Sequence, residues 1–325
     1  MDRIDRQIVH CLRLDGRASF HRIGHVIGSS EQTVARRYRA LVEAGALRVI
    51  AVAEPVTART WFARIICRPG AAASLAEAVA ARDDVSWVSL TAGGSEVFCA
   101  THGPTETETG PVLLERLPRS AQALRFTAFS ALHVHDGPAA AWRGLDDPLT
   151  PAQAAQLTRT DRTGGSATPG DEHPDDDALI DLLQPDGRAT IAALAAALGR
   201  PAPSVSARLG QLRRSGRLTI ETDVVPRAFG FTAAAFLLIK VAPNRLHRTG
   251  QDVSALPATG FTAAVTGSAN LLTAVTGRDD EDLYRLVTSV IGLRPGVRDI
   301  EVIPILRRVK QARSRLRHGR LDPVR

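Results

Sequence analysis

A chain of 325 residues, 44% of them hydrophobic, is too long for one small core and requires two or more domains. The formal charge of +7 is carried almost wholly by arginine, which suits phosphate and base-edge contacts, although a GC-rich genome raises arginine by codon usage alone. No run approaches the ~18 apolar residues of a membrane span, the opening MDRIDRQIVH lacks a secretion-signal pattern, and Cys11, Cys67 and Cys99 are scattered without CxxC spacing. A cytoplasmic protein without a disulfide framework or a Cys-rich zinc site is expected.

Ile4, Ile8, Cys11 and Leu12 fall at helical spacing and predict an amphipathic helix over 2–13. "LDGRAS" ends it, with Gly16 read as a left-handed cap. Ser19 caps a second helix that buries Ile23, Val26 and Ile27, and "GSS" at 28–30 breaks the chain so that Ser29 or Ser30 caps a third. That helix runs to Ala44, burying Val34, Tyr38 and Leu41, and Gly45 stops it. "LRVIAVAE" then has the β-branched content of a strand, as a wing would.

Three short helices with a tight turn before the third form a helix-turn-helix. Around the Ser30 cap, the outward face carries Gln32, Thr33, Arg36, Arg37 and Arg39. Gln32 and Thr33 in the first turn would meet base edges, and the arginines suit phosphates or guanine. The plainer alternative is a three-helix core with a solvated basic face.

Residues 143–174, rich in acids, Gly, Ser, Thr and Pro, read as a linker with one short helix at 151–158. The opening unit then returns: residues 8–47 lie over 179–218 at a constant offset of 171. Asp15-Gly16-Arg17-Ala18 meets Asp186-Gly187-Arg188-Ala189, and apolar positions stay apolar over about forty residues. The surface is less faithful. Pro203, Ala207 and Gly210 stand where the first copy has Gln32, Arg36 and Arg39, while Ser204 and Arg208 survive opposite Thr33 and Arg37. The first copy is the better DNA reader.

Beyond each copy the chain alternates strands and helices, most clearly in the second. "FTAAAFLLIKV" is a strand, 244–256 a helix, "FTAAV" and "NLLTAVT" a hairpin across Gly267-Ser268, and Asp279 or Asp280 caps a further helix before "RDIEVIPIL". This βαββαβ order is ferredoxin-like and leaves one sheet face to bury against another copy. The fold class is α+β, a tandem repeat of winged helix-turn-helix and ferredoxin-like effector domain. Its boundaries are 1–53, 54–142, the linker 143–174, 175–223, 224–312 and a basic tail at 313–325, solvated by default.

Two patterns carry no site at this level. His133 and His135 share one face of a strand, a metal-capable spacing, yet the sequence places no third ligand and a solvent-facing pair is the reading. "AGGSE" lacks the Lys-Ser/Thr of a phosphate loop and reads as a hairpin turn.

The opening "RIDRQIVHCLRLDGRAS", the helix pair ending "SSEQTVARRYRALVEAGALR" and the closing "LRPGVRDIEVIPILRRVK" together resemble the Lrp/AsnC, or feast/famine, family of transcription regulators. The resemblance covers nearly the whole chain, twice. It implies a regulator that binds double-stranded DNA, forms homo-oligomers through its effector domains and binds an amino acid or similar small metabolite. It carries the family's effector hairpin onto Gly93, Gly94, Ser95 and Glu96, and onto Gly267, Ser268 and Asn270, the acidic residue being retained as Glu96 and replaced by Asn270. No cofactor, metal or catalytic residue is implied. Paired modules of this architecture also occur in sirohaem decarboxylases, which use His, Arg and Tyr around a tetrapyrrole pocket. The corresponding stretches here, 54–68 and 225–241, contain neither His nor Tyr. A metabolite-binding protein without DNA binding is the third reading.

Overall fold

The computed structural model describes residues 1–53, 58–104, 117, 120–135, 142, 144–157, 173–312 and 314–322. In chain order the first copy gives α1 (Arg3–Leu14), α2 (Phe20–Ile27), α3 (Glu31–Glu43) and β1 (Leu47–Ala53). Then come β2 (Ala58–Cys67), α4 (Ala72–Ala80), β3 (Val85–Thr91), β4 (Glu96–Pro104), β5 (Ala123–Val134) and a short helix α5 (Pro151–Leu157). The second copy supplies α6 (Asp176–Leu183), α7 (Ile191–Leu198), α8 (Ala202–Arg214) and β6 (Leu218–Val224). Last are β7 (Ala233–Val241), α9 (Leu246–Ser254), β8 (Thr259–Val265), β9 (Leu271–Gly277), α10 (Asp280–Arg285), β10 (Val297–Gln311) and β11 (Ser314–Arg317).

The chain does not divide into serial domains. It forms two compact units, and each draws on both copies: Met1–Val56 joins Asp146–Val225 and Arg320–Arg325, while Thr57–Leu145 joins Pro226–Gly319.

In the helical unit, local capping follows the sequence. Asp2 and Asp5 close a capping box on α1, and the side chains of Ser19 and Ser30 accept from the amides of Arg22 and Thr33. The expected wing is different. β1 makes no hairpin of its own; it pairs antiparallel with β6 of the other copy, from Leu47 opposite Val224 to Ala53 opposite Leu218. An isolated two-stranded wing is marginal, so the copies complete each other's edge.

The repeated DGR turn has its reason here, and it is not the one read from sequence. Gly16 lies outside the left-handed region: the cap of α1 is Asp15, with extended backbone. What the turn glycines provide is close approach. A Cβ on Gly16 would stand 2.7 Å from Ile220 Cγ2, and one on Gly187 would stand 2.8 Å from the Ile50 carbonyl carbon. The arginine that follows each glycine reaches across. Arg17 donates to the carbonyls of Gly187 and Ala189 at 2.6 and 2.8 Å, and Arg188 donates to those of Gly16 and Ala18 at 2.6 and 2.9 Å. Arg188 also lies 4.6 Å from the Phe20 ring centroid and 5.2 Å from that of Tyr38. Burial pulls both guanidinium pKa values down, as desolvation of a cation must.

Alanine at Arg17 or Arg188 should cost this unit about 2–3 kcal/mol, since each removes two charge-assisted bonds and strands buried carbonyls. The Arg188 variant should lose more because the aromatic contacts go too. Urea titration followed by circular dichroism checks this; losses below about 0.5 kcal/mol, the range of an ordinary surface change, would dismiss the clamp.

The first part of the expected linker belongs to this unit. Arg6 pairs with Asp147 at 2.8 Å, Gln153 Nε2 donates to the Val26 carbonyl at 2.8 Å, and Leu157 is fully buried. Residues 158–172 lie outside the described residues.

The sheet unit has two halves whose strands take the orders β3-β4-β2-β5 and β8-β9-β7-β10, every pairing antiparallel. The second half runs β-α-β-β-α-β, although α10 continues as a π turn over Leu286–Ile291. In the first half, residues that would hold the second helix fall outside the described ones. The fourth strand of each half is long enough to serve both. β5 pairs with β2 up to Ser130 and then with β8 from Ala131, and β10 pairs with β7 up to Pro304 and then with β3 from Ile305, each crossing at a bulge. The eight strands thereby close on themselves.

Alternation along the strands builds two kinds of core. Ala63, Ile65, Val97 and Cys99 pack under α4, while Phe62 and Phe98, one position away, join Phe129, Leu238, Leu272 and Ile303 between the halves. Phe98 stacks on Phe236 at 4.3 Å. The sheet face expected to need another copy is buried against this chain's own second half. The expected solvated tail is also structured in part: Ser314–Arg317 adds a strand to β10, with Leu316 buried.

Candidate nucleic-acid interface and effector region

The third helix of the first copy presents Gln32, Arg36 and Arg39 to solvent, with Thr33 half-buried behind its bond from the Ser30 hydroxyl at 2.9 Å. Arg39 Nε reaches back to the Ala35 carbonyl at 3.3 Å, which leaves its outer nitrogens facing outward. Arg37 stands differently. It is half-buried and meets Asp2 at 2.8 Å and Asp5 at 3.5 Å, fastening α3 to α1.

The second copy repeats that fastening in a tighter form. Arg208 grips Asp176 through two nitrogens at 2.5 Å each, and Arg217 reaches the same carboxylate at 2.8 Å. Asp176 is 2% exposed, so this is a buried ion pair. Sequence comparison took Arg37 and Arg208 as matched DNA contacts; the structure gives both a partner inside the unit. A signal existed, because Asp5 and Asp176 obey the same offset of 171 as the arginines.

The exposed face of α8 begins Ala202, Pro203, Ser204, Ser206 and Ala207, with no cation before Arg208. Its N-cap position is Pro201, which contributes no side-chain cap. The first turns of that face thus lack the cations that α3 sets toward a phosphate, and the exposed Arg214 stands at the far end of the helix, over Gly210.

In the sheet unit the two hairpins onto which the resemblance carries an effector site diverge. Glu96 is buried and held bidentately by Arg64 at 2.8 and 3.1 Å, and Arg64 also reaches Glu301 at 2.7 Å. The Arg64 guanidinium pKa is pushed up, first by its bond to Glu96. Asn270 is spent on the backbone. Its Oδ1 accepts from the Val241 amide and its Nδ2 donates to the Val241 carbonyl, both at 2.8 Å. Gly93 and Gly94 sit in a tight turn after β3 at positive φ, as does Gly267, whereas Ser95 and Ser268 are exposed.

A separate cleft of about 300 Å³ opens on the second half, lined by Phe231, Pro257, Thr276, Arg278, Asp282 and Arg285 among others. None of the hairpin residues lines it. Arg278 lies 5.2 Å from the Phe231 ring centroid, and buried Trp142 meets that ring edge-on at 4.5 Å. An apolar wall with two arginines and one carboxylate can hold a small molecule bearing both charges. Thiol chemistry has no place here: Cys11, Cys67 and Cys99 are buried, and burial pushes the Cys11 and Cys99 thiols up to about 12.

Comparison with known proteins agrees with this division. Residues 1–42 match the model of the AsnC-type helix-turn-helix domain, and residues 234–315 match that of the Lrp/AsnC ligand binding domain. An uncharacterized HTH-type transcriptional regulator of Pyrococcus abyssi is 28% identical over 137 residues, spanning 42% of this chain and 86% of that protein. The HTH-type transcriptional regulator FL11 of Pyrococcus horikoshii is 25% identical over 137 residues, 42% of this chain and 90% of FL11. Among solved structures, the siroheme decarboxylase NirDL superposes over 96% of this chain and 93% of its own, with a TM-score of 0.63 at 12% identity, a likeness of fold. The matches are to one helix-turn-helix domain and one ligand-binding domain, on a chain whose element order repeats. The chain thus carries an AsnC-type helix-turn-helix domain and an Lrp/AsnC ligand binding domain.

Proposed function

We propose that this Lrp/AsnC-type DNA-binding regulator reads a specific duplex site through α3 of the first copy, and that its sheet unit answers a small metabolite, an amino acid being the class with the right charges. The carrying observation is the asymmetry of the two third helices. Arg36 and Arg39 stand exposed and unshared by any carboxylate on α3, while Ala207 and Gly210 stand in their places on α8. Gln32 and Thr33 in the first turn of α3 would take the base edges, with Ser30 holding that turn in shape.

The two halves of the sheet unit are read as ferredoxin-like effector modules fused into one chain. Gly93–Glu96 and Gly267–Asn270 act as shape-giving hairpins, and the cleft at Arg278, Asp282 and Arg285 is the pocket for the metabolite. A carboxylate would face the two arginines and an amino group Asp282, in exchange for the ion pair that Arg285 and Asp282 make with each other. Further association of chains is part of the reading: Leu132 and Leu306, at matching places on β5 and β10, are 66% and 60% exposed. No helix among the described residues is long and apolar enough to cross a membrane.

A gel-shift series on the DNA upstream of this chain's own reading frame, with and without amino acids, tests the proposal. A specific shift that moves with one amino acid is expected. Absence of any shift at low salt, together with tetrapyrrole binding, would transfer the reading to an enzyme of the NirDL fold.

A further inference from the structure

Three of the chain's nine histidines converge in the sheet unit. His133 lies near the end of β5 and His135 just beyond it, two residues apart and past the bulge where β5 leaves its own half and pairs with β8. His247 comes from the first turn of α9, in the other half. One ring nitrogen from each lies within 4.8 Å of the others, and the ring centroids are 4.7, 5.5 and 5.5 Å apart. His133 and His247 are exposed and His135 is half-buried, so an ion could enter from solvent.

We propose that His133, His135 and His247 form a site for a divalent transition-metal ion of the zinc class, bridging the two halves where β5 changes partners. Neutral imidazoles at about 2.0–2.1 Å from a tetrahedral ion stand roughly 3.3 Å from one another, so only small side-chain rotations close the set. Three nitrogens and no thiolate or carboxylate suit Zn²⁺, Ni²⁺ or Cu²⁺ over Mg²⁺ or Ca²⁺. A fourth position stays open to water.

The internal duplication supplies the control that argues against mere packing. At the matching junction, where β10 passes to β3, an offset of 174 puts Arg307, Val309 and Ala73 in place of the three histidines. The fold therefore closes without imidazoles. The helix beside the cluster has also been opened: Gly250 lies against the His135 ring, which a Cβ would strike, whereas its counterpart Ala76 carries that Cβ in the first half's core. A glycine inside a helix is unfavourable against alanine, so the space made for His135 comes at some expense. The adjacent cation, Arg248, pairs with Asp252 at 3.3 Å.

The test titrates the untagged, metal-free full chain with Co²⁺ and reads its visible absorption, then displaces it with Zn²⁺. One equivalent per chain is expected, with the intense bands of a four-coordinate ion. His247→Ala and His133→Ala should each weaken uptake at least by the ~10–100-fold that even outer-sphere losses cost. His25→Ala, an exposed histidine elsewhere, should leave it unchanged. Circular dichroism shows whether each variant folds as the parent does. No Co²⁺ uptake by the parent, or equal uptake by folded His247→Ala and His133→Ala, would overturn the assignment.

Discussion

Replacing Arg208 with alanine is expected to cost about 3–5 kcal/mol, because it strips the principal partner from a carboxylate that cannot reach water. Asp176→Asn should cost a similar amount, since two guanidinium groups, those of Arg208 and Arg217, then lose one counter-charge. The matching change in the first copy, Arg37→Ala, should cost less. Its side chain is 30% exposed, and it approaches buried Asp5 only to 3.5 Å. The ranking is measured by denaturant unfolding of the full chain, and an Arg37→Ala penalty as large as that of Arg208→Ala would refute it. Acid provides a second readout. Burial raises the Asp176 carboxyl, but bonds from Arg208 and the His173 amide, with the charges of Arg208 and Arg217, outweigh it and hold the pKa below its ordinary 3.8. A lowered carboxylate stabilises above its unfolded value and loses that contribution as pH falls through the folded one. The gap between parent and Asp176→Asn should therefore be flat at neutral pH and narrow below about pH 4.

The second large effect is on DNA. Arg36→Ala combined with Arg39→Ala should remove most specific binding and flatten the slope of log K against log salt by about 1.8, or 0.9 for each phosphate left without its arginine. Arg37→Ala should leave that slope unchanged while lowering stability. This reverses the expectation drawn from sequence, in which Arg37 is itself a DNA-binding residue. Fluorescence anisotropy across a salt series decides it; a slope insensitive to Arg36 and Arg39 would place the DNA on another face.

Much of the fold is legible in the sequence because its signals are local. The caps Ser19 and Ser30, the stop at Gly45 and the hairpin at Gly267 each act within a few residues, and each stands where the sequence puts it. What escapes is long-range. Nothing within "LRVIAVA" says that its partner lies some 170 residues away, and nothing in "DGR" distinguishes a cap from a clamp. The arginine gives the better hint, because it persists in both copies while Arg36 and Arg39 do not. The partners of Arg37 escape for a related reason. Helical periodicity places it near the outward face, but its length lets it fold back to Asp2 and Asp5. The third histidine is invisible in the sequence because α9 and β5 meet only through the pairing of β5 with β8.

The crossed wing bears on how the chain is made. During synthesis the first copy emerges long before the second, yet β1 has no strand to pair with until β6 has left the ribosome. Until then Val49 and Ala51, buried in the finished unit, lie on an open edge. The same delay applies to β3, whose outer neighbour β10 is almost the last strand made. Neither half of this protein can mature ahead of the other, and cutting the gene at its internal repeat would yield two fragments, each with exposed strand edges that only the missing fragment can cover.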